Sequence, residues 1–283
     1  MERTDQGTID LVIPVYNEVL QLEGSVKRLA ASVAESLQIP WRVVVVDNGS
    51  QDGTGEVGRR LADQLDYVRY VHLDVKGRGR ALRQVWTETD AQFSLYMDVD
   101  LSTDLAAVPR AVELLQQGAD LVSGSRLDRR ANTTRCLKRE IISRVYNWLI
   151  RWGLSTRSFD DAQCGFKGIR VSTVRPLLPL VQNQHWFFDT ELLVLAELAG
   201  LEIRTFPVTW IEDSDTRVNI PKTVWEDVRG LARLRRTAGS LVREWKQRKE
   251  LRPVPSVVPP PHWLQKPTSP VTADDRRAVS DGR

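Results

Sequence analysis

The chain has 283 residues, of which 41% are hydrophobic and 27% are charged, and 40 Lys and Arg against 37 Asp and Glu leave a net charge of +3. This composition predicts a globular protein with one large domain, and no apolar run is long enough to cross a membrane. Two cysteines and three scattered histidines argue against a disulfide framework and against a zinc site. The first residues lack the basic start and apolar core of a signal peptide, so we expect a cytoplasmic protein.

Strand-like and helix-like segments alternate along the first half of the chain. Apolar runs rich in β-branched residues predict strands, and apolar residues at three- and four-residue intervals predict helices between them. The predicted strands are 8–15, 41–46, 67–73, 93–97 and 119–124, and the predicted helices are 19–37, 56–65, one through Leu82, Val85 and Trp86, and 108–117. This alternation predicts an α/β fold, Rossmann-like, with a mostly parallel sheet flanked by helices on both faces.

Polar clusters follow four of these predicted strands. They are Asn17-Glu18, Asp47 to Ser50, Lys76 to Arg80, and Asp98 to Asp104. Because the carboxyl ends of parallel strands share one edge of a sheet, we expect the four clusters to form a single ligand site there. No G-x-G-x-x-G follows the first strand and no P-loop is present, which argues against a classical dinucleotide or P-loop nucleotide fold.

Asp98 and Asp100 end the predicted strand 93–97 and are one residue apart. In an extended segment these two side chains point to the same side. Two carboxylates at such a position suit Mg²⁺ or Mn²⁺, with water and substrate phosphates as the remaining ligands. Taken alone, the pair is more typical of a polar loop after a strand than of a metal site.

The second half of the chain contains two basic amphipathic segments. The segment 135–152 places Leu137, Ile141, Val145, Trp148 and Trp152 on one helical stripe. A helix from Pro221 carries a second stripe, with Arg229, Arg233, Arg236, Arg243 and Lys246 opposite it. Each stripe predicts either packing on the core or a helix at a membrane surface. No recognised nucleic-acid module is present, so we expect no nucleic-acid partner.

The remaining segments complete a four-part organisation. A helix at 186–200 and a strand at 203–210 close the predicted domain, with Cys164 before them as a small buried residue. We expect a flexible N-terminus at 1–7, a main domain at 8–220, a basic amphipathic helical extension at 221–251 and a disordered Pro-rich tail at 252–283.

Seven motifs, in order, resemble family 2 inverting glycosyltransferases of the GT-A fold. They are Ile13 to Glu18, Val46 to Thr54, Lys76 to Gly79, Asp98-Val99-Asp100, Gly124-Ser125-Arg126, Asp161 to Lys167 and Phe187 to Leu192. The last two are most similar to the branch that makes dolichyl- and polyprenyl-phosphate sugars. The resemblance covers roughly residues 8 to 240, and it implies a GT-A domain that binds a nucleotide sugar.

The resemblance implies roles for residues at the donor side. The residues it places at the nucleotide and its phosphates are Pro14, Tyr16, Glu18, Asp47, Lys76, Arg78, Asp98 and Val99. Asp47 would accept a hydrogen bond from a base N–H, because a carboxylate makes a charge-assisted bond there. Lys76 and Arg78 lie between glycines, which allows positive charge near phosphates. Asp98 and Asp100 would hold Mg²⁺ or Mn²⁺ on the donor pyrophosphate.

The same resemblance implies an acceptor side. Arg126, Arg139 and Ser143 would contact the acceptor phosphate, Asp189 and Glu191 would face the donor sugar, and Arg217 would close over the pyrophosphate as a mobile clamp. Ser102 stands where the mannosyl branch often has Gln, which favours the glucosyl branch and leaves the third metal ligand to water.

These expectations define an enzyme, a hexosyltransferase. It would move glucose from UDP-glucose, or mannose from GDP-mannose, to polyprenyl or dolichyl phosphate with inversion, at the cytoplasmic face of a membrane that it contacts peripherally. A lipid phosphate is already anionic and needs no general base, whereas a soluble saccharide or natural-product hydroxyl would need one. That alternative acceptor would use Asp189 or Asp161 as the base. A non-catalytic nucleotide-sugar-binding protein is the third reading.

Overall fold

The computed structural model describes residues 7–134, 137–211 and 220–251. The strands are β1 Ile9–Val15, β2 Trp41–Asp47, β3 Val68–His72, β4 Phe93–Met97, β5 Leu121–Ser125, β6 Asn132–Thr134, β7 Phe166–Arg170, β8 Ile203–Pro207 and β9 Thr209–Ile211. The helices are α1 Leu22–Ser36, α2 Thr54–Gln64, α3 Arg78–Glu88, α4 Ala107–Gln116, α5 Leu137–Leu154, α6 Val171–Val174, α7 Phe188–Ala199 and α8 Ile220–Leu251, with a 3₁₀ helix at Arg175–Leu180.

Seven strands form one sheet in the order β3-β2-β1-β4-β7-β5-β8. Every neighbouring pair is parallel except those of β7, which runs antiparallel between β4 and β5. The predicted α/β fold is therefore confirmed. The register sets Val15 beside Asp47 and Asp47 beside His72, while Met97 pairs with Phe166, so the strand ends that carry the polar clusters lie along one edge.

Both faces of the sheet are covered by apolar layers. Alternate strand residues such as Leu11 and Val43 pack with α1, α2 and α4, whereas Val12 and Val44 pack with α3, α7 and α8. Because β1, β2 and β4 are buried on both sides, their sequences are mostly apolar runs instead of alternating patterns. This explains why the strands could be read from composition alone.

The predicted strand 203–210 is wrong as a single strand. It breaks at Val208: β8 stays in the large sheet, and β9 pairs with β6 in a separate two-stranded sheet. Trp210 also forms a bridge with Thr103, in the loop that follows Asp100. The small sheet is thus paired with the loop that follows Asp100. This pairing joins distant parts of the chain, so the local sequence pattern does not predict it.

The helix α8 packs on α7 and on the 3₁₀ helix, and Leu234, Ala238, Val242 and Trp245 are its buried apolar residues. The Trp245 indole donates to the Pro176 carbonyl at 2.8 Å, and Arg233 lies 2.7 Å from the buried Glu191. Core packing therefore accounts for the stripe from Leu234 onward, whereas Val228 nearer the start of α8 is exposed. In the described part of the chain, no helix is both long and apolar enough to span a bilayer. The predicted tail 252–283 and residues 1–6 lie outside the described residues.

Candidate active site

The turn after β1 is tied to the turn after β2. The Asn17 amide donates to Ser50 Oγ at 2.9 Å, and the Glu18 amide donates to Thr54 Oγ1 at 2.8 Å. Asn17 has a left-handed backbone with φ of 55°, a conformation that Asn tolerates better than most residues. Two of the four predicted clusters therefore form one surface.

Asp47 ends β2 and is almost fully buried beneath that surface. Its Oδ1 accepts the Ser50 amide at 2.9 Å, and its Oδ2 accepts the Tyr70 hydroxyl at 2.7 Å and lies 3.2 Å from His72 Nδ1. Burial opposes ionisation, but the hydrogen bonds from Ser50 and Tyr70 outweigh it and lower the pKa of Asp47. Asp47 is thus an ionised carboxylate in a fixed position, and an ionised carboxylate can accept a hydrogen bond from a base N–H.

Lys76 and Tyr16 meet across the edge of the sheet. The Lys76 ammonium lies 3.5 Å from the centre of the Tyr16 ring, although the two residues come from the loops after β3 and β1. An exposed cation on an aromatic face combines a stacking surface with positive charge. Both residues were predicted at the nucleotide, and Pro14 and Glu18 lie in the same strand end and turn.

Arg78 begins α3 and points into the site, away from solvent. Its Nη2 lies 2.9 Å from Asp98 Oδ1 and its Nε lies 4.0 Å from Asp189 Oδ2. The guanidinium also lies over the rings of Tyr96 and Trp186, at 5.1 Å and 4.8 Å from their centres. The sequence predicts Arg78 near the donor phosphates, and the structure places its guanidinium between two carboxylates.

A glycine explains how α3 and α7 bring these groups together. A Cβ on Gly79 would lie 2.5 Å from Phe188 Cβ, so only glycine permits this approach of the two helices. Arg78 and Asp189 are the neighbours of these two contact residues. Close helix packing therefore sets the Arg78–Asp189 separation.

Asp98 and Asp100 sit in a tight turn after β4. The Leu101 amide donates to the Asp98 carbonyl at 3.1 Å, and the Ser102 amide donates to Asp100 Oδ1 at 2.9 Å. Val99 between them is buried. Desolvation raises the pKa of Asp98, despite the opposing charge of Arg78 and with some help from the neighbouring Asp100.

Asp98 and Asp100 supply only some of the ligands that a divalent cation needs. Among residues 7–134, 137–211 and 220–251, no group of three or more His, Cys, Asp or Glu side chains is arranged to hold a metal ion. A Mg²⁺ or Mn²⁺ ion bound through one or two carboxylates, with phosphates and water as the other ligands, is compatible with that donor set. The hard oxygen ligands of Asp98 and Asp100 suit both ions.

Asp189 lies buried in the first turn of α7. It belongs to a hydrogen-bond and ion-pair network with Tyr96 and Lys167 that the sequence did not predict. Its Oδ1 accepts the Tyr96 hydroxyl and lies 3.3 Å from the Lys167 ammonium, which is fully buried and also donates to the Cys164 carbonyl at 2.6 Å. Lys167 on β7 and Tyr96 on β4 are adjacent partners in the sheet. Lys167 and Asp189 belong to two of the motifs that carry the family resemblance, but the sequence does not show that they are neighbours.

Glu191 does not share that site. Its carboxylate accepts the Asn183 amide at 2.8 Å and pairs with Arg233 of α8 at 2.7 Å. The implication that Glu191 faces the donor sugar is therefore wrong, because the side chain is used to dock α8. Cys164 is buried, and burial raises the pKa of its thiol to about 11, as expected of a packing residue.

Arg126 forms a two-pronged ion pair with the buried Asp161. Its Nε and Nη2 donate to the two carboxylate oxygens at 2.7 Å and 2.9 Å, and the guanidinium lies 4.9 Å from the centre of the Trp210 ring. Burial opposes ionisation, but the charge of Arg126 outweighs it and lowers the pKa of Asp161. Arg126 therefore stays charged beside the strand ends, and its ion pair with Asp161 fixes its position.

Ser143 is buried on the inner side of α5, and its Oγ has no hydrogen-bond partner among the described residues. An unpaired buried hydroxyl costs free energy unless something binds it, which makes this atom a candidate ligand contact. The side chain of Arg139 and the whole of Arg217 lie outside the described residues, so the structure places neither.

The fold and the acidic strand-end site define a GT-A glycosyltransferase. The solved structures that share this fold include the following two. Glucosyl-3-phosphoglycerate synthase from Mycobacterium tuberculosis, in complex with Mn²⁺, UDP-glucose and phosphoglyceric acid, aligns over 81% of this chain and 79% of its own with a TM-score of 0.59 and 16% identity. The mannosyltransferase PcManGT from Pyrobaculum calidifontis, in complex with GDP-Man and Mn²⁺, aligns over 88% and 76% with a TM-score of 0.50 and 15% identity.

The chain belongs to glycosyl transferase family 2, whose model matches residues 10–177. It is 30% identical over 227 residues to the dolichyl-phosphate beta-glucosyltransferase of Drosophila melanogaster, covering 75% of this chain and 69% of that protein. It is 35% identical over 221 residues to glycosyltransferase AglD of Haloferax volcanii, covering 76% of this chain but only 35% of AglD. The family resemblance and the prediction of a glycosyltransferase enzyme are confirmed.

Proposed function

We propose that this chain transfers a hexose from a nucleotide sugar to a polyprenyl or dolichyl phosphate, with inversion at the sugar carbon. The observation that carries the proposal is the Arg78–Asp98–Asp189 arrangement at the carboxyl ends of the strands. It places cationic and anionic groups where the fold binds its ligands. The similarity to the Drosophila dolichyl-phosphate glucosyltransferase supports the lipid-phosphate acceptor.

The donor would lie across the loops after β1, β2 and β3. Asp47 would accept a base N–H, while Tyr16 and Lys76 would flank the nucleotide and its phosphates. Asp98 and Asp100 would hold Mg²⁺ or Mn²⁺, which supplies positive charge for the departing nucleoside diphosphate. Arg217 remains our proposed clamp on the pyrophosphate. The glucosyl-type relatives and Ser102 favour UDP-glucose over GDP-mannose as the donor.

The state of the two candidate bases supports an acceptor that is already ionised. Both oxygens of Asp161 accept hydrogen bonds from Arg126, and Asp189 is engaged by Tyr96, Lys167 and Arg78. Although burial opposes its ionisation, the charge of Arg126 lowers the pKa of Asp161 and makes it a poor proton acceptor. The contacts of Asp189 engage its carboxylate within the protein. A phosphate oxygen needs no proton removed, whereas a saccharide hydroxyl does. The soluble-acceptor alternative is therefore less well supported.

Melting of the full chain with UDP and with GDP, each with and without Mn²⁺, tests the donor site. A ligand that binds only the folded state raises the melting temperature, so a Mn²⁺-dependent rise with UDP is the expected result. A rise with GDP alone would change the donor to GDP-mannose. No rise with either nucleotide would contradict a donor site at these loops.

Transfer of labelled glucose to a short, water-soluble polyprenyl phosphate tests the acceptor. We expect product with the phosphate and none with the matching polyprenol, because the anionic oxygen is the nucleophile. Transfer to a saccharide hydroxyl alone would establish the soluble-acceptor reading. Nucleotide binding without transfer to any acceptor would establish the non-catalytic reading.

A further inference from the structure

The helix α5 has two unlike faces. Its inner face carries Ser143, Asn147 and Ile150, which are all buried and follow one another at helical spacing. Asn147 holds the site loop there, because its Oδ1 accepts the Ala162 amide at 2.9 Å. The inner face of α5 therefore packs against the loop that carries Asp161.

The outer face of α5 is apolar and exposed. Ile141, Val145, Trp148 and Trp152 follow at four-, three- and four-residue intervals, and their exposed fractions are 55%, 52%, 60% and 70%. Ile142 and Leu149 flank this row and are also exposed. Scattered apolar residues on a surface are ordinary, but a contiguous row of this size marks an interaction surface.

Two of the exposed residues in this row are tryptophans. The rings of Trp148 and Trp152 stack with their centres 6.1 Å apart and their planes 5° from parallel. On α8, which packs against α5, Trp225 is 63% exposed. Tryptophan suits the boundary between lipid head groups and acyl chains, because its ring is apolar and its N–H finds a polar partner there.

The charges beside this row are mostly basic. Arg151 on α5 and Arg229 and Arg236 on α8 are exposed, whereas Arg144 and Glu140 on α5 pair with each other at 2.8 Å and add no net charge. Basic side chains beside an apolar row attract anionic lipid head groups. They would repel the same basic surface on a second copy of the chain, which argues against a face-to-face dimer.

We propose that the outer face of α5, formed by Ile141, Val145, Trp148 and Trp152, is the surface through which this chain lies on an anionic lipid bilayer. The stripe on α5, whose pattern predicts either core packing or a membrane surface, is thereby assigned to the membrane. The helix would lie in the plane of the head groups, with the inner face and Ser143 turned toward the site. This last placement rests on the proposed lipid-phosphate acceptor, whereas the surface itself does not.

Co-sedimentation of the full chain with vesicles tests the surface without donor or acceptor. The probes are vesicles of phosphatidylcholine alone and of phosphatidylcholine mixed with phosphatidylglycerol. We expect binding to the mixed vesicles that weakens as salt is added, since the basic residues contribute to it. Binding to neither vesicle would overturn the proposal, as would a dimer in solution that Val145→Asp dissolves.

The chain offers a matched pair of variants. Val145 and Val75 are 52% and 53% exposed, but Val75 lies in the loop after β3. Val145→Asp should lower the vesicle partition coefficient by about tenfold or more, because it places a charge in the apolar layer, and Val75→Asp should leave it unchanged. Trp148→Ser with Trp152→Ser should act like Val145→Asp. Equal effects of Val145→Asp and Val75→Asp would overturn the assignment of the face.

The two proposals fail separately. Transfer to the water-soluble polyprenyl phosphate without vesicle binding would remove the membrane surface and leave the proposed function intact. Vesicle binding that Val145→Asp abolishes, without transfer to any polyprenyl phosphate, would keep the surface and remove the proposed function. Retained nucleotide binding by Val145→Asp shows that the variant is folded.

Discussion

The Arg78 guanidinium lies 2.9 Å from Asp98 Oδ1, so the first of the two strand-end carboxylates already has a cationic partner within the protein. Arg78 reaches it from the start of α3, and the other oxygen of Asp98 lies close to Gly165. A metal ion bound at Asp98 would share this carboxylate with Arg78. The pair therefore links the loop after β3 to the proposed metal site.

Replacing Asp98 with Asn should remove the metal dependence of nucleotide binding. The amide keeps the size of the side chain but loses the negative charge that a divalent cation needs, and transfer should fall by about a hundredfold or more. The measurement is the Mn²⁺-dependent rise in melting temperature with UDP, followed by the transfer rate. Asp104→Asn, in the same loop with an exposed carboxylate, is the control. An undiminished Mn²⁺ effect in Asp98→Asn would remove Asp98 from the metal site.

Gly165→Ala should damage the same site through shape alone. A Cβ at this position would lie 1.9 Å from Asp98 Oδ2, so the carboxylate must move from its place beside Arg78. We expect a weaker apparent affinity for Mn²⁺, in a titration monitored by nucleotide binding. Gly153→Ala is the control, because a Cβ there meets nothing within 4 Å. Equal Mn²⁺ affinities in the two variants would show that Asp98 has no fixed position.

Arg126→Ala should lower the free energy of unfolding by about 3–5 kcal/mol, because it leaves Asp161 buried without its cation. The exposed pair Arg130–Asp128, at 3.0 Å, gives the control. Arg130→Ala should leave stability nearly unchanged, since an exposed ion pair is screened by water. Urea denaturation of both variants is the measurement. Equal losses in the two variants would mean that burial does not distinguish the pairs.

Asp227→Asn should stabilise the protein at neutral and higher pH. Burial raises the pKa of Asp227 to about 7, against a lowering by the hydrogen bond from Gln163 and a further rise from Glu226. The unfolded carboxyl ionises near its ordinary value of 3.8, while the folded one keeps its proton until about 7. The folded state therefore holds an extra proton between these values, so wild-type stability falls as pH rises through that window.

The amide removes that penalty and still accepts the Gln163 hydrogen bond, which is 2.9 Å long in the wild type. The stability gained should be about 2–4 kcal/mol at about pH 8 and close to zero at about pH 4. Urea denaturation at several pH values measures it, with Asp104→Asn as the exposed control. A variant that is less stable than wild type at every pH would show that the carboxyl group makes a contact that the amide cannot replace.

Much of the fold and part of the site were readable along the chain. The strand 93–97 was predicted with the bounds that β4 has, and β1, β2, β3 and β5 were predicted to within two residues, whereas β6 was not predicted. Strands buried on both faces show continuous apolar runs, and helices show their period, because each signal lies within a few neighbouring residues. The four polar clusters at one sheet edge followed from the same local information and the rule for parallel sheets.

The partners of those clusters were not readable in the same way. Nothing local to Lys167 says that it lies beside Asp189, and nothing local to Arg78 says that it faces Asp98 instead of solvent. The antiparallel β7 and the small sheet of β6 and β9 bring such pairs together from distant parts of the chain.

The two amphipathic stripes show the same division between local pattern and tertiary packing. The sequence by itself determined that both segments are helical with one apolar side, because periodicity depends only on spacing. Which apolar side is covered was decided by tertiary packing: α8 buries Leu234 and Trp245 against α7 and the 3₁₀ helix, whereas α5 buries Ser143 and leaves Trp148 and Trp152 exposed. The physical reason is that burial depends on the neighbouring elements, and an amphipathic pattern does not identify its neighbour.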